Sequence, residues 1–158
     1  MVLKLLIAVL FTILPITELR VGLPIAISYA LENHINVFLI FTLIVLINIL
    51  VVFFVFWFLD NLHNLFMKIK IYRKLFEKYL EKFQRKVNKY EKNHYASIVL
   101  GLMLFVAVPL PGTGAWTGCL LSWLLELDRK KSILGISLGV LIAGIVILIG
   151  SLGIFSLF

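Results

Sequence analysis

Glu18 and Arg20 stand two residues apart and are the only charges in the apolar stretch 5–31. A second stretch, 93–125, has no charge but carries Pro109-Leu110-Pro111-Gly112-Thr113-Gly114-Ala115-Trp116. An ionisable side chain at membrane depth costs several kcal/mol, about 3 on insertion scales, so both charges are functional candidates by type. A guanidinium presents a bidentate fork to a phosphate. A carboxyl can carry a proton, with burial and a neighbouring guanidinium acting on it in opposite senses. In the second stretch Thr113 is the expected N-cap of a half-helix that starts near Ala115. Gly112 and Gly114 let backbone N–H groups converge, and a helix N-terminus attracts anions. The expected substrate-binding set is Pro15, Thr17, Glu18 and Arg20 on one stretch, with Pro109, Pro111, Gly112, Thr113, Gly114 and Trp116 on the other. Glu18 is also the expected proton-coupling group. Bland alternatives stand beside each of these. Glu18 and Arg20 can simply neutralise each other, although at i and i+2 on a helix they do not face each other. Pro-Gly-Thr-Gly can be only a tight turn, and Trp116 only a packing residue rather than a platform for a cation.

The elements that must hold these residues follow from composition. The chain has 158 residues, 62% hydrophobic and 15% charged, with a mean hydropathy of +1.09. Soluble domains are about half apolar and a quarter charged. A soluble enzyme, a disordered tail and a disulfide-rich module are therefore excluded, and one cysteine, Cys119, cannot form an internal disulfide. The net charge of +7 is concentrated: residues 60–94 hold ten Lys and Arg against Asp60, Glu77, Glu81 and Glu91. Such a segment reads as a cytoplasmic loop of a cell-membrane protein, not as a nucleic-acid surface. No phosphate loop or nucleophile elbow occurs, so no enzyme is expected. His34, His63 and His94 lack metal-ligand spacing, and neither metal nor cofactor is expected. Residues 1–14 imitate a signal peptide but no small-residue cleavage site follows, so they are kept as mature structure.

Charge gaps mark the spans. A bilayer core of about 30 Å takes about 20 helical residues. Residues 37–59 and 132–158 each fit one crossing, the first with Asn48 as its only strongly polar residue, expected to bond to a neighbouring segment. Gly135, Gly139 and Ala143, four apart, allow close helix approach. Residues 1–31 are interrupted by Pro15, Glu18, Arg20, Gly22 and Pro24, and 96–125 by Pro109 to Gly114. Irregular backbone at membrane depth is tolerated only where protein buries it or water lines it. If 96–125 crossed, Arg129, Lys130 and Lys131 would lie outside, against the positive-inside rule; as a re-entrant hairpin it keeps them cytoplasmic. The expected fold is an all-α integral membrane protein, one domain over 1–158. It comprises a re-entrant hairpin (1–31), a transmembrane helix (37–59), an amphipathic basic linker helix (60–95), a second hairpin (96–125) and a second transmembrane helix (132–158). LPITELRVGLP at 14–24 and VPLPGTGAWTG at 108–118 then occupy matching places in an inverted repeat.

Pro15-Ile16-Thr17-Glu18-Leu19-Arg20 with Gly22 and Pro24 resembles the first motif of the small multidrug export proteins. Pro109 to Gly118 resembles their second. That family is grouped with the DedA membrane proteins, whose relatives are implied to carry polyprenyl-phosphate or other lipids across membranes, some using proton-motive force. DedA proteins bear arginines in the second motif, whereas 93–125 here has none. The resemblance and the residues together imply a translocator of phosphate-bearing lipids, with an anionic membrane lipid as partner and room for a homo-oligomer. Two other readings remain: an exporter of cationic drugs with Glu18 as the binding carboxylate, and a membrane scaffold that transports nothing.

Overall fold

The computed structural model describes residues 2–61, 95–110 and 112–155. Among them all regular structure is helical: α1 (Val2–Ile13), α2 (Glu18–Glu32), α3 (Val37–Asn61), α4 (Tyr95–Ala107), α5 (Ala115–Leu124) and α6 (Arg129–Phe155). The basic linker helix expected over 60–95 lies outside the described residues, apart from Asp60 and Asn61 at the end of α3 and Tyr95 at the start of α4.

The helix boundaries follow from local chemistry. A residue before proline avoids the helical region, and α1 and α4 stop just short of Leu14-Pro15 and Val108-Pro109. Asn36 starts α3 by accepting from the Phe38 N–H at 2.8 Å, and Asp128 starts α6 by accepting from the Lys131 N–H at 3.0 Å. These are N-cap side chains satisfying orphan donors. Two expected bounds shift. The last helix starts at Arg129, not 132, because a charge gap marks the apolar core rather than the capped end. The first break is confined to 14–17: Glu18, Arg20, Gly22 and Pro24 all lie in α2. Pro24 forgoes only its own N–H bond, and the rest of the helix carries it.

Contacts fix the relative directions. Lys4 on α1 donates to Ser28 at 2.9 Å and to Glu32, both on α2. Nearer the break, Gly22 lies against the Ala8 carbonyl and the Thr12 hydroxyl. So α1 and α2 run antiparallel. Gly135 meets Val99 and Gly139 meets Met103 and Val106, so α6 runs parallel to α4. Asp60 accepts from Arg129 at 2.7 Å and Gly144 lies beside Phe41 and Val45, so α3 and α6 are antiparallel. Cys119 sits beside the Val52 carbonyl, and Trp123 donates to Asp60 at 3.1 Å, so α5 runs with α3 and against α4. The core between them is aliphatic, with Leu23, Ile27, Ile44, Val52, Val106 and Ile136 fully enclosed. Among the described residues two helices, α3 and α6, are long and apolar enough to cross a bilayer. Leu50, Phe53, Leu138 and Ile145 stay exposed on their outer faces.

Two expectations arise from this packing. A Cβ at Gly139 would stand 2.7 Å from the Met103 carbonyl and 2.8 Å from Val106 Cβ, where backbone cannot yield. Gly139→Val should therefore destabilise the fold by roughly 1–3 kcal/mol. Thermal unfolding in detergent checks it; an unchanged midpoint would refute the close α4–α6 contact. At the end of α2, hydrogen bonds from Lys4 and then Ser28 hold the Glu32 carboxyl below its ordinary range. A depressed folded value stabilises above the unfolded carboxyl value, about 4.3 for glutamate. That contribution is lost as pH falls through the folded value. Lys4→Met should return Glu32 toward the ordinary range in an NMR titration.

Candidate functional site

The two breaks meet. Glu18, the first residue of α2, is 3% exposed, and its backbone takes a left-handed φ of +46°. For a residue other than glycine that conformation costs of order 1–3 kcal/mol and persists only where surroundings impose it. What imposes it is the start of α5. One Glu18 carboxylate oxygen accepts from the Ala115 N–H at 3.0 Å, the other from the Trp116 N–H at 3.1 Å. These are the first two N–H groups of α5, whose N-cap, Gly114, has no side chain to satisfy them. A carboxylate from 97 residues away thus caps the helix. A Cβ on Gly114 would overlap that carboxylate, which explains the glycine.

Magnitudes favour the arrangement. Each hydrogen bond to a charged group contributes about 1.5–3 kcal/mol. The positive end of the helix dipole adds up to about 2 kcal/mol. Together they exceed the roughly 3 kcal/mol that an acidic residue costs inside a membrane helix on insertion scales.

Arg20, half-buried two residues along α2, donates from Nη2 to Thr113 Oγ1 at 2.7 Å. Thr113 is therefore not the N-cap that the sequence suggested. Its single hydroxyl proton serves the Val108 carbonyl at 2.6 Å or the Leu110 carbonyl at 2.8 Å, and its lone pair receives Arg20. Glu18 and Arg20 share no ion pair among the described residues; each reaches across to the second break instead. Trp116 donates from Nε1 to the Ile13 carbonyl at 3.0 Å, satisfying the end of α1, and its ring stands edge-on to Phe54.

The other candidates shape the turns. Thr17 donates to the Phe11 carbonyl at 2.7 Å, and Pro15 lies exposed in the first break. Pro109 follows α4, and Pro111 lies outside the described residues. Gly112 has φ +84° in open space, and the Thr113 N–H closes on the Leu110 carbonyl at 3.2 Å. A left-handed third residue in such a four-residue turn favours glycine. Asn48, 1% exposed on α3, donates to the Thr12 carbonyl at 3.1 Å, so the lone carboxamide of the first span does bond to a neighbouring segment. What sequence reasoning missed is the direct capping of α5 by Glu18. The one signal available was a helix start, Gly114-Ala115-Trp116, whose N-cap has no capping side chain of its own.

Two long apolar helices and two shorter antiparallel pairs, whose turns Glu18 and Arg20 tie together, make an all-helical architecture consistent with a membrane protein. The chain belongs to the family described as "Putative small multi-drug export protein", which matches residues 18–146. No curated protein and no solved structure matches it.

Proposed function

We propose that the chain is a secondary transporter of an anionic amphiphile, a lipid with a phosphate headgroup, coupled to protons through Glu18. The observation that carries this reading is the Glu18 carboxylate on the first two N–H groups of α5. It is an anion seated in an anion site, and a phosphate is chemically suited to replace it. Protonation turns the carboxylate into a weak acceptor and loosens the cap. The freed N–H groups and Arg20, whose only hydrogen bond among the described residues is to Thr113, would then receive the headgroup. In this reading α1–α2 and α4–α5 are re-entrant hairpins entering from opposite sides, each followed by a crossing helix, as in inverted-repeat transporters. The DedA grouping that the sequence resemblance implies would carry the same class of cargo. With no charge in 93–125, backbone donors supply the second half of the site.

An exporter of cationic drugs also agrees with the family description, but a cation would meet a carboxylate already engaged by two N–H groups, with Arg20 beside it. The deciding experiment uses the purified full chain in phosphatidylcholine vesicles, comparing translocation of a polyprenyl phosphate with efflux of a cationic dye. Lipid-phosphate movement above protein-free vesicles supports the proposal; dye efflux alone overturns it.

Orientation is part of the reading: the 60–94 segment and Arg129 face the cytoplasm of the cell membrane. In a Cys119→Ser background, Asp128→Cys should label from the cytoplasmic side, and labelling only from outside would contradict it.

A further inference from the structure

Asn48 has a second face that its bond to Thr12 leaves unused. Its Oδ1 is buried and has no hydrogen-bond partner among the described residues. A buried acceptor without a donor is costly. Asn48 lines a small pocket with Glu18, Arg20, Ala115, Val140 and Ala143. Its volume is about 10 Å³, close to what one water needs when polar groups surround it. The remaining wall is uncharged: Leu19 on α2, Gly114 before α5, Val106 on α4 and Ile147 on α6. Arg20 is the one cation lining it, which makes a metal cation a poor occupant.

Resting on the role given to Glu18 above, we infer that this pocket is a binding site for one water molecule, donated to Asn48 Oδ1 and shared with the Glu18 carboxyl. Asn48 acts as a positioning residue. When Glu18 takes up its proton, the water accepts a proton from solvent as it passes one of its own to the carboxylate: one water O–H bond forms, another breaks, the carboxyl O–H forms, and neutral water remains. Among the described residues, the charged and titratable groups facing Glu18 are Arg20 on α2 and the Cys119 thiol on α5. α3, α4 and α6 face the pocket with Asn48, Val106, Val140, Ala143 and Ile147, none of which titrates. The water is therefore the partner through which the carboxyl exchanges its proton.

Infrared difference spectra of the full chain in vesicles, stepped in pH in ordinary and oxygen-18 water, test the site directly. Wild type should show one ordered-water O–H band that moves on oxygen substitution. Asn48→Leu and Ala143→Val should both lose it. The second variant fills the pocket from α6 and leaves the Asn48–Thr12 bond intact, so it also guards against misfolding. Asn48→Ser should keep the band. Both filling variants should slow pH-driven transport by about 100-fold or more, the lower end of the range for loss of a positioned proton-transfer partner. A band that survives in folded Ala143→Val overturns the water site. So does a sodium dependence of transport that Asn48→Leu abolishes, since that would make the occupant a cation. If the band behaves as described but Glu18→Gln keeps full pH coupling, the water site stands and the coupling role of Glu18 falls.

Discussion

Gly114→Ala is expected to abolish transport and to lower stability by about 3–5 kcal/mol, the range for leaving a buried charge without its partner. The added methyl would occupy the space of the Glu18 carboxylate, so the acid must leave the α5 N-terminus. Two N–H groups then lose their acceptor, and a carboxylate at membrane depth loses its donors. Gly112, two residues earlier, is the control. It has open space around it and needs only its left-handed φ. Gly112→Ala should cost about 1–2 kcal/mol, the price of a left-handed alanine, and spare transport. A double-mutant cycle isolates the contact: with Glu18→Ala already present, Gly114→Ala should add little further loss. Additive losses would mean that the glycine serves something other than the carboxylate.

The second large effect separates Glu18 from Arg20. Arg20→Ala removes the one cation facing the α5 N-terminus and should weaken binding of a lipid phosphate by about 10–100-fold, the value of a charge-assisted contact. Arg20→Lys should restore only part of that, because an ammonium lacks the planar fork. Glu18→Gln keeps an acceptor near the N–H groups but holds no exchangeable charge. It should bind substrate while losing response to pH. If the two charges serve only to neutralise each other, the Glu18→Gln/Arg20→Ala double variant would transport as well as wild type. Binding measured on purified protein with a short-chain phosphate lipid distinguishes these outcomes.

The sequence made the residues legible, but not their partners. Charge gaps located α3 and α6, because a span must be apolar whatever it packs against. Pro15 and Pro109 marked the ends of α1 and α4 through a purely local clash. Pro24 misled for the opposite reason: tertiary packing against α1 keeps the helix going through it, and no local rule reports that packing. Thr113 looked like an N-cap because Thr-Gly before an apolar run has that form. Glu18 arrives from the other end of the chain and takes the cap instead. A contact across 97 residues leaves no periodic signal, and only the missing side chain at Gly114 hinted that something must fill the place. Asn48 was conspicuous as a carboxamide in an apolar helix, yet its unpaired oxygen depends on the neighbours that tertiary packing brings to it, which no local pattern reports.

The central claim is that Glu18 leaves the α5 N-terminus on protonation and yields its place to a phosphate. One measurement bears on it most directly: polyprenyl-phosphate translocation in phosphatidylcholine vesicles with and without an imposed pH gradient, for wild type and Glu18→Gln at equal protein content. The expected result is acceleration of the wild type by the gradient and a Glu18→Gln rate that is the same under both conditions. A Glu18→Gln protein that still responds to the gradient, or a wild type that moves no lipid phosphate above protein-free vesicles, would contradict it.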